Sequence, residues 1–549
     1  MGFYDQVVLP GTALLGTFFS SSSTVDLGYA TYAAANTSLT PGVTSFLGIR
    51  YAAPPTGELR FSAPRAPDTV TGVQQSVMPP PCWDSPVYGG AVESPYYNAG
   101  GKAVNVSTLY PFSAEEDASE DCLFVNVHVP DSLNLAGNAS VPVLVWIHGG
   151  GYVGGSNRMY PTENLARNAD GELIVVSVQY RVGPFGFLAG RDVKEGGALN
   201  AGLLDQEFAL KWVQQYISKF GGDPSRVAIY GESAGAGSVL QHVVAHAGNT
   251  QPPLFRAALL SSTFLPTQHA WDDPFPESLY QTIASQVNCT GEDVLKCLRA
   301  VDPRSLALAG AHTTFAAFVG TFPLAPVVDG DLIVERPHET LAKRTVNGDV
   351  AFVISNTNEG TMFTPEAAVM PLGLKKYIGG LFPTLEQEDV ERAFTLYGGP
   401  DADVASATSR VMGEAIFTCP GYAILDAFTE VGKPAWKGSF DVPPAGHGND
   451  LIYIFDGKIL GLLEQSIPPT DVELGHAMRS ALIGAATSLD PNTVAAVPEW
   501  ARYDEGSHME MTFNRTEDGM GTYMETFTTD KALLERCEFW RNVADKTPQ

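Results

Sequence analysis

The stretch "VAIYGESAGAGSVLQHVVAH" (Val227–His246) joins an apolar run typical of a buried strand to a run with the spacing of a helix. Between the two runs stands Ser233, with a glycine two residues before it and another two residues after it. A serine raised on a tight strand-to-helix turn leaves no room for side chains at those two positions, and glycine supplies the room. Because the chain holds 55 glycines, the match alone does not distinguish a nucleophile from a crowded bend. The strand before it and the helix beginning near Ala234 favour a nucleophile.

Apolar runs alternate with helical ones from Val141 onward. Strand candidates are residues 141–147, 172–180, 226–230, 256–262, 349–355 and 450–456, and residues 200–220 have helical spacing. Strand, helix and strand in that order indicate a mostly parallel sheet covered by helices on both faces. The segments after residue 263 are expected to form a helical layer over this sheet. Since no repeat or linker divides the chain, we expect one α/β domain over residues 24–545.

Composition excludes several classes of protein. The 549 residues carry a net charge of −28, which repels phosphate backbones and argues against nucleic-acid binding. No run of eighteen or more apolar residues occurs, so stable membrane insertion is not expected. Residues 7–19 have the length of a signal-peptide apolar region, but no Lys or Arg precedes them. Residues 1–23 are therefore interpreted as an imperfect secretion signal or as an unstructured N-terminal arm.

Cysteine count and glycosylation motifs both favour an extracellular protein. The chain has six cysteines, an even number that allows fifteen pairings. Five Asn-X-Ser/Thr motifs are candidate N-glycosylation sites. They are Asn36, Asn105, Asn138, Asn288 and Asn514.

A glycine cluster, "WIHGGGYVGG" (146–155), directly follows the strand candidate 141–147. Adjacent glycines let backbone N–H groups turn towards one point, which is the requirement of an oxyanion hole. The cluster also fits the dinucleotide-binding pattern G-x-G-x-x-G through Gly149, Gly151 and Gly154. That pattern needs an immediate helix and an acidic residue ending the next strand. Here Pro161 interrupts the helix and Glu172 begins the next strand, so the oxyanion hole is the preferred interpretation.

A serine nucleophile needs a histidine base and an acid, which follow it in the order acid, then histidine. Glu359 lies in a polar loop directly after the strand candidate 349–355, and Asp329 in "PVVDGDLI" competes with it, although an aspartate before glycine is often part of a turn. His447 lies in the small-residue loop "PPAGHGND", ahead of a run that we expect to be a strand. Three other histidines lie on helical runs and are not favoured: His242, His246 and His476.

Three separated motifs carry a family resemblance: residues 46–61 ("FLGIRYAAPPTGELRF"), 119–130 ("SEDCLFVNVHVP") and 220–239 ("FGGDPSRVAIYGESAGAGSV"). Together they resemble the type-B carboxylesterase and lipase family, which includes cholinesterases and fungal lipases of the Candida rugosa kind. The one departure within them is His128, which stands where an apolar residue is usual. The likeness runs from about residue 25 to residue 542. It implies an α/β-hydrolase fold and a secreted serine esterase or lipase.

The resemblance also implies roles for individual residues. Ser233 would be the nucleophile, Glu359 the acid and His447 the base, with no metal or cofactor. The oxyanion hole would be formed by the N–H groups of Gly150, Gly151 and Ala234. Arg60 and Glu120 would form a buried ion pair. The implied disulfides are Cys82–Cys122, Cys289–Cys297 and Cys419–Cys537, the last with two free thiols as the alternative.

Departures in the first disulfide loop concern the substrate, which we expect to be a small-molecule or lipid ester. Cholinesterases hold the choline cation with a tryptophan inside this loop, whereas Trp83 is adjacent to the cysteine here. The loop is aromatic and acidic, unlike an amphipathic lid rich in Leu and Ile, and this favours soluble or aromatic esters. A lipase or sterol esterase, a feruloyl-type esterase and a catalytically silent binding protein remain alternatives, and the oligomeric state is open. The loop aromatics are Tyr88, Tyr96, Tyr97, Tyr110 and Phe112.

Overall fold

A computed structural model describes residues 23–35, 40–85, 89–92, 117–133, 140–457, 459, 467–493, 496–504 and 506–549. The predictions for residues 1–22, for Asn36, Asn105 and Asn138, and for the aromatic residues of the first disulfide loop lie outside these ranges. Of the two described glycosylation motifs, Asn288 is exposed in a loop and Asn514 is half-buried. Within the described ranges, none of the helices has the length and apolar content needed to cross a membrane.

Strands occur throughout the described part of the chain, and those expected from Val141 to residue 355 are confirmed. The strands are β1 (Thr24–Asp26), β2 (Thr31–Ala33), β3 (Val43–Arg50), β4 (Val73–Gln74), β5 (Phe124–Pro130), β6 (Val141–Ile147), β7 (Ile174–Val178), β8 (Gly222–Glu232), β9 (Ala257–Ser261), β10 (Val350–Asn356), β11 (Ala435–Phe440), β12 (Met509–Arg515) and β13 (Thr522–Thr528).

Ten of these strands form one sheet in the order β13-β12-β11-β10-β9-β8-β6-β7-β5-β3. All neighbours from β7 to β12 in this order pair in parallel, and the antiparallel pairs are at the two ends of the sheet. A separate three-stranded sheet has the order β1-β2-β4. The predicted mostly parallel sheet is therefore confirmed.

Helices fill the connections and form the layer expected after residue 263. They are α1 (Glu163–Asn168), α2 (Gly183–Phe187), α3 (Arg191–Gly196), α4 (Ala201–Tyr216), α5 (Ala234–Gly248), α6 (Pro274–Gln286), α7 (Val294–Ala300), α8 (Pro303–Phe315), α9 (Pro337–Ala342), α10 (Glu366–Val369), α11 (Leu374–Leu381), α12 (Gln387–Leu396), α13 (Val404–Gly413), α14 (Cys419–Thr429), α15 (Leu451–Phe455), α16 (Val472–Ser488) and α17 (Lys531–Asn542).

Both faces of the sheet are buried, as the alternation along β6 illustrates. Val143, Val145 and Ile147 belong to one apolar cluster with α4, α5 and α14. Leu144 and Trp146 belong to a second cluster, on the other face, with α1, α15 and α16. A parallel sheet covered on both faces needs continuous apolar strands, which explains why the run 141–147 has no polar residue.

One predicted strand is wrong. The run 450–456 forms the short helix α15 (Leu451–Phe455) and not a strand. Phe455 packs edge-to-face on Trp146, with the ring centroids 4.8 Å apart, so this helix covers the sheet instead of extending it. A short apolar run has no periodicity that separates a strand from a buried helix, and tertiary packing decides between them.

Three disulfides and a buried ion pair link separate parts of the chain. The structure contains disulfides Cys82–Cys122, Cys289–Cys297 and Cys419–Cys537, the three pairs that the resemblance implies. Arg60 and Glu120 form the expected buried ion pair, with Nε and Oε1 2.6 Å apart.

The topology brings polar residues to one edge of the sheet. Ser233 directly follows β8, Ser262 directly follows β9, and Glu359 comes three residues after β10. His447 lies in the loop that follows β11. Because β8 to β11 are parallel neighbours, their carboxyl ends meet at the same edge, where α/β sheets place their ligand sites.

Candidate active site

Ser233 stands on a strained turn between β8 and α5. Its φ is +56° and its ψ is −127°, a conformation that side-chain-bearing residues adopt at a cost of about 1–3 kcal/mol. A Cβ atom on Gly231 would lie 2.2 Å from the carbonyl carbon of Gly235, and one on Gly235 would lie 2.1 Å from the carbonyl oxygen of Ile147. Both flanking glycines are therefore required by the close approach of backbone, as the sequence predicts.

The glycine cluster after β6 packs against this turn. A Cβ atom on Gly149 would lie 3.0 Å from the Cβ of Ser233, and Gly150 and Gly151 both have positive φ, at +117° and +62°. The N–H groups of Gly150 and Gly151 have no acceptor among the described residues. Ala234 is the first residue of α5, so its N–H has no acceptor within the helix. These N–H groups are available to a developing negative charge beside Ser233.

Glu359 and His447 form a buried hydrogen-bonded pair. His447 Nδ1 donates to Glu359 Oε2 over 2.6 Å. The other oxygen, Oε1, accepts from the hydroxyl of Ser262 and from the N–H of Asn356, both at 2.7 Å. Burial lowers the pKa of His447, but Glu232 and the hydrogen-bonded Glu359 outweigh it and raise that pKa above its usual value. With Nδ1 engaged, Nε2 is the nitrogen free to exchange a proton.

A second carboxyl group, that of Glu232, faces the free nitrogen of His447. Glu232 Oε1 lies 3.2 Å from His447 Nε2, and the side chain is only 3% exposed. Burial raises the pKa of Glu232 to about 8, so this carboxyl holds its proton more tightly than an exposed one does. Burial likewise raises the pKa of Asp450, whose Oδ1 accepts from Asn356 Nδ2 at 3.1 Å.

A pocket of about 370 Å³ opens in front of Ser233 and His447. Its walls are mostly apolar, with Phe322 and Phe363 packed edge-to-face at a ring-centroid distance of 5.5 Å. Phe417 supports this wall from behind, stacking on Phe363 at 5.3 Å and contacting the His447 ring at 4.5 Å. A concave and mostly apolar pocket of this kind is typical of small-molecule sites.

The competing candidates have structural roles. Asp329 accepts from Asn200 Nδ2 at 2.6 Å and from two backbone N–H groups, so it fixes a turn. His242 pairs with Gln206 and His246 with Glu207, while His476 is exposed on α16. The residues 149–155 form a loop and not the start of a helix, which excludes the dinucleotide-binding arrangement. Within the described ranges, no group of three or more His, Cys, Asp or Glu side chains is placed to hold a metal ion.

Sequence reasoning missed four polar residues of the site, which are Glu232, Ser262, Asn356 and Asp450. An acidic residue at the end of an apolar strand, directly before the nucleophile, is unusual, and this could have identified Glu232. Ser262 follows β9 and Asn356 ends β10, so both lie at the carboxyl edge of the sheet. That position could have indicated that they belong to the site. Asp450 lies three residues after His447, in the run that was interpreted as a strand.

A mostly parallel sheet with helices on both faces, a nucleophile turn after one strand and a histidine–acid pair after later strands define the α/β-hydrolase fold. The sequence model of the "Carboxylesterase family" matches residues 30–540. The carboxylesterase patB of Aspergillus clavatus is 30% identical and covers 94% of this chain and 96% of its own. Lipase 2 of Geotrichum candidum is 29% identical and covers 89% and 93%, respectively.

Solved structures agree with this assignment. The crystal structure of Aspergillus niger EstA superposes with a TM-score of 0.80 at 28% identity, covering 96% of this chain and 99% of EstA. The chain belongs to the carboxylesterase family, and it is a carboxylic ester hydrolase.

Proposed function

We propose that this protein hydrolyses esters through a Ser233–His447–Glu359 triad and a covalent acyl-enzyme. Ser233 Oγ attacks the ester carbonyl while His447 Nε2 takes its proton, and Glu359 holds the Nδ1–H and stabilises the imidazolium. The N–H groups of Gly150, Gly151 and Ala234 bind the oxyanion, and removal of one such donor costs about 3–4 kcal/mol of transition-state stabilisation.

The second half of the reaction uses the same groups. The tetrahedral intermediate collapses as His447 donates its proton to the leaving alcohol oxygen, which leaves the acyl group on Ser233. Water then attacks the acyl carbon while His447 accepts a proton, and collapse releases the acid and restores the Ser233 hydroxyl. None of these steps needs a metal or a cofactor.

The observation that carries the proposal is the 2.6 Å hydrogen bond between His447 Nδ1 and Glu359 Oε2, with His447 lining the same pocket as Ser233. A catalytically silent binding protein would have no need of a buried histidine–carboxylate pair beside a strained serine. The geometry therefore favours catalysis over silent binding.

For the substrate we propose soluble esters with a small or aromatic acyl group. The aromatic wall of Phe322, Phe363 and Phe417 supports this class, and a pocket of about 370 Å³ is at the small end of ligand pockets. A lipase acting on lipid or sterol esters is the second candidate, favoured by the likeness to lipase 2. Activity that rises sharply beyond the solubility limit of the substrate would distinguish the lipase.

We also propose that the protein is secreted. Three disulfides support this, because such links persist in oxidising compartments and are rare in the cytosol. The exposed Asn288 is the better placed of the two described glycosylation motifs. Recovery of the protein from the culture medium and not from the cell fraction tests secretion, and endoglycosidase treatment followed by mass spectrometry tests the glycan at Asn288.

The experiment that tests the function compares the wild type with Ser233→Ala on a panel of p-nitrophenyl esters from acetate to oleate. A feruloyl ester and a cholesteryl ester complete the panel. We expect the wild type to prefer the short and aromatic members and the variant to lose at least about 10⁴-fold in kcat. Near-normal turnover by Ser233→Ala would contradict the proposal, and a preference for oleate would replace the substrate class while leaving the triad in place.

A further inference from the structure

A second cavity, of about 450 Å³, lies behind the catalytic acid. Glu359 lines it, whereas its partner His447 lines the catalytic pocket, so this hydrogen-bonded pair stands between the two spaces. Among the described residues, the two cavities have no lining residue in common. The second cavity is therefore a separate space in contact with the back of the catalytic machinery.

Buried acidic and basic side chains, paired with one another, form the inner part of this cavity. Lys437 Nζ lies 3.2 Å from Glu510 Oε2, with the side chains 1% and 5% exposed. Arg536 binds Glu414 through Nε and Nη2, at 2.6 and 2.8 Å. Because charged groups are costly to bury away from water or a polar ligand, such a cavity does not stay dry.

The inner groups are already engaged with one another. The Glu414 carboxylate also accepts from Tyr397 at 2.7 Å, and Lys437 also donates to the Ser355 hydroxyl at 2.8 Å. Asp441 accepts from the hydroxyls of Ser439, Thr357 and Thr512. The capacity to bind something else must therefore come from the mouth of the cavity, together with the one guanidinium nitrogen of Arg536 that Glu414 does not engage.

The mouth carries opposite charges with open positions. Arg410 on α13 is exposed and has no ion-pair partner among the described residues. Asp530 is exposed at the N-cap of α17, where only Oδ1 is engaged, by the N–H of Ala532. Arg536 has Nη1 without an acceptor in the described part of the chain. The open groups are thus two guanidinium donors and one carboxylate acceptor.

We propose that this cavity is a binding site for a small zwitterion, namely a free α-amino acid. The ligand carboxylate binds the guanidinium groups of Arg410 and Arg536, whose planar donors match a carboxylate. The ligand ammonium binds the free oxygen of Asp530. A simple anion is disfavoured, because the cavity is lined by three basic side chains and five acidic ones. The acidic ones are Glu359, Glu414, Asp441, Glu510 and Asp530.

The test uses three matched probes on the full-length protein: L-alanine, propionate, which lacks the ammonium group, and ethylammonium, which lacks the carboxylate. Saturation-transfer NMR titrations give a Kd for each. We expect L-alanine to bind with saturation and each single-charge probe to bind at least about tenfold more weakly. Absence of saturable alanine binding, or equal binding of all three probes, would overturn the proposal.

Two substitutions test whether the ligand binds at the mouth of the cavity. Arg410→Gln changes an exposed side chain, and Asp530→Asn keeps a residue that caps helices well, so both are expected to fold. Each should weaken alanine binding by about tenfold, because one charged hydrogen-bonding partner is lost. The matched control is Arg392→Gln, which removes an exposed arginine on α12 outside the cavity and should bind alanine like the wild type.

Covalent modification of Ser233 tests whether alanine binds in the second cavity and not in the catalytic pocket. Protein treated with a fluorophosphonate should bind alanine unchanged, because the reagent enters only the catalytic pocket. Alanine binding that disappears on this treatment, or that both mouth variants retain, would contradict the assignment. The binding measurement does not depend on esterase activity, so failure of the proposed function leaves this test intact.

Discussion

Ser233 and His447 line the same pocket, but their positions are fixed in different ways. Ser233 lies on a turn whose strained backbone is permitted by two glycines within two residues of it, Gly231 and Gly235. His447 lies in a loop, and its ring is held by contacts from far along the chain. These are the hydrogen bond to Glu359, 88 residues away, and the ring contacts with Phe363 and Phe417.

Because of this difference, substitutions in the two regions should inactivate the protein in different ways. The nucleophile turn is part of the sheet and of α5, so a change there disturbs the fold and the chemistry together. The base is held by side chains at the edge of the sheet, so a change there can remove the chemistry and leave the fold intact. The predictions below alter first the support of the base, then the nucleophile turn, and finally the groups around them.

Loss of the carboxylate that holds the base should have the largest effect. Glu359→Gln leaves His447 without an ionised partner, so the imidazolium formed in the transition state is not stabilised. We expect kcat to fall by about 10³–10⁴-fold with an unchanged circular dichroism spectrum. Glu366→Gln, an exposed neighbour on α10, is the control. A loss of less than tenfold would remove Glu359 from the triad.

A methyl group in the nucleophile turn should damage both fold and activity. Gly235→Ala places a Cβ atom 2.1 Å from the carbonyl oxygen of Ile147, which is backbone of β6 and cannot move aside. We expect a decrease of about 3–5 kcal/mol in the free energy of unfolding, measured in urea, together with loss of turnover. Gly379→Ala on α11, where the nearest atom lies 3.9 Å away, should be tolerated. Equal stability of the two variants would show that the turn is less constrained than described.

The buried Glu232 should make stability depend on pH. Its pKa is raised by burial from 4.5 to about 8, so the folded protein retains a proton that the unfolded chain releases. Stability from this group is complete below pH 4.5 and is lost as the pH rises towards 8. Relative to Glu232→Gln, the wild type should lose about 1.4 kcal/mol per pH unit within this window. Parallel pH profiles of the two proteins in urea unfolding would contradict a protonated Glu232.

The smallest predicted effect concerns acyl selectivity. Phe322 separates the catalytic pocket from a cavity of about 30 Å³ behind it. Phe322→Ala joins the two spaces, so the ratio of kcat/KM for octanoate over butyrate should rise by about tenfold. Phe394→Ala, on α12 outside the pocket, is the control. An unchanged ratio would show that another wall limits the acyl chain.

The comparison also explains what the sequence could predict. The nucleophile turn is encoded locally, by glycine spacing and by the change from strand to helix periodicity, and it was found. Glu359 was proposed from its position after a strand and His447 from its small-residue loop, and the structure brings the two side chains into a hydrogen bond. The helix α15 was interpreted as a strand, since its contact with Trp146 comes from a remote part of the chain.

Partners that act through the tertiary structure were not predictable in the same way. The contact of Glu232 with His447 and the hydrogen bond from Ser262 to Glu359 each join residues that are far apart in the chain, so the sequence does not show these partners. The cavity behind Glu359 combines residues from β10, β11, β12, α13 and α17, and no local pattern marks their meeting.

Mapping of a covalent label tests the central claim most directly. The protein is treated with a fluorophosphonate, digested and analysed by mass spectrometry, with Glu359→Gln treated in parallel. We expect one adduct, on Ser233, formed stoichiometrically with loss of esterase activity and much more slowly in the variant. An adduct on another residue, or full activity in protein labelled at Ser233, would contradict the assignment of Ser233 as the nucleophile.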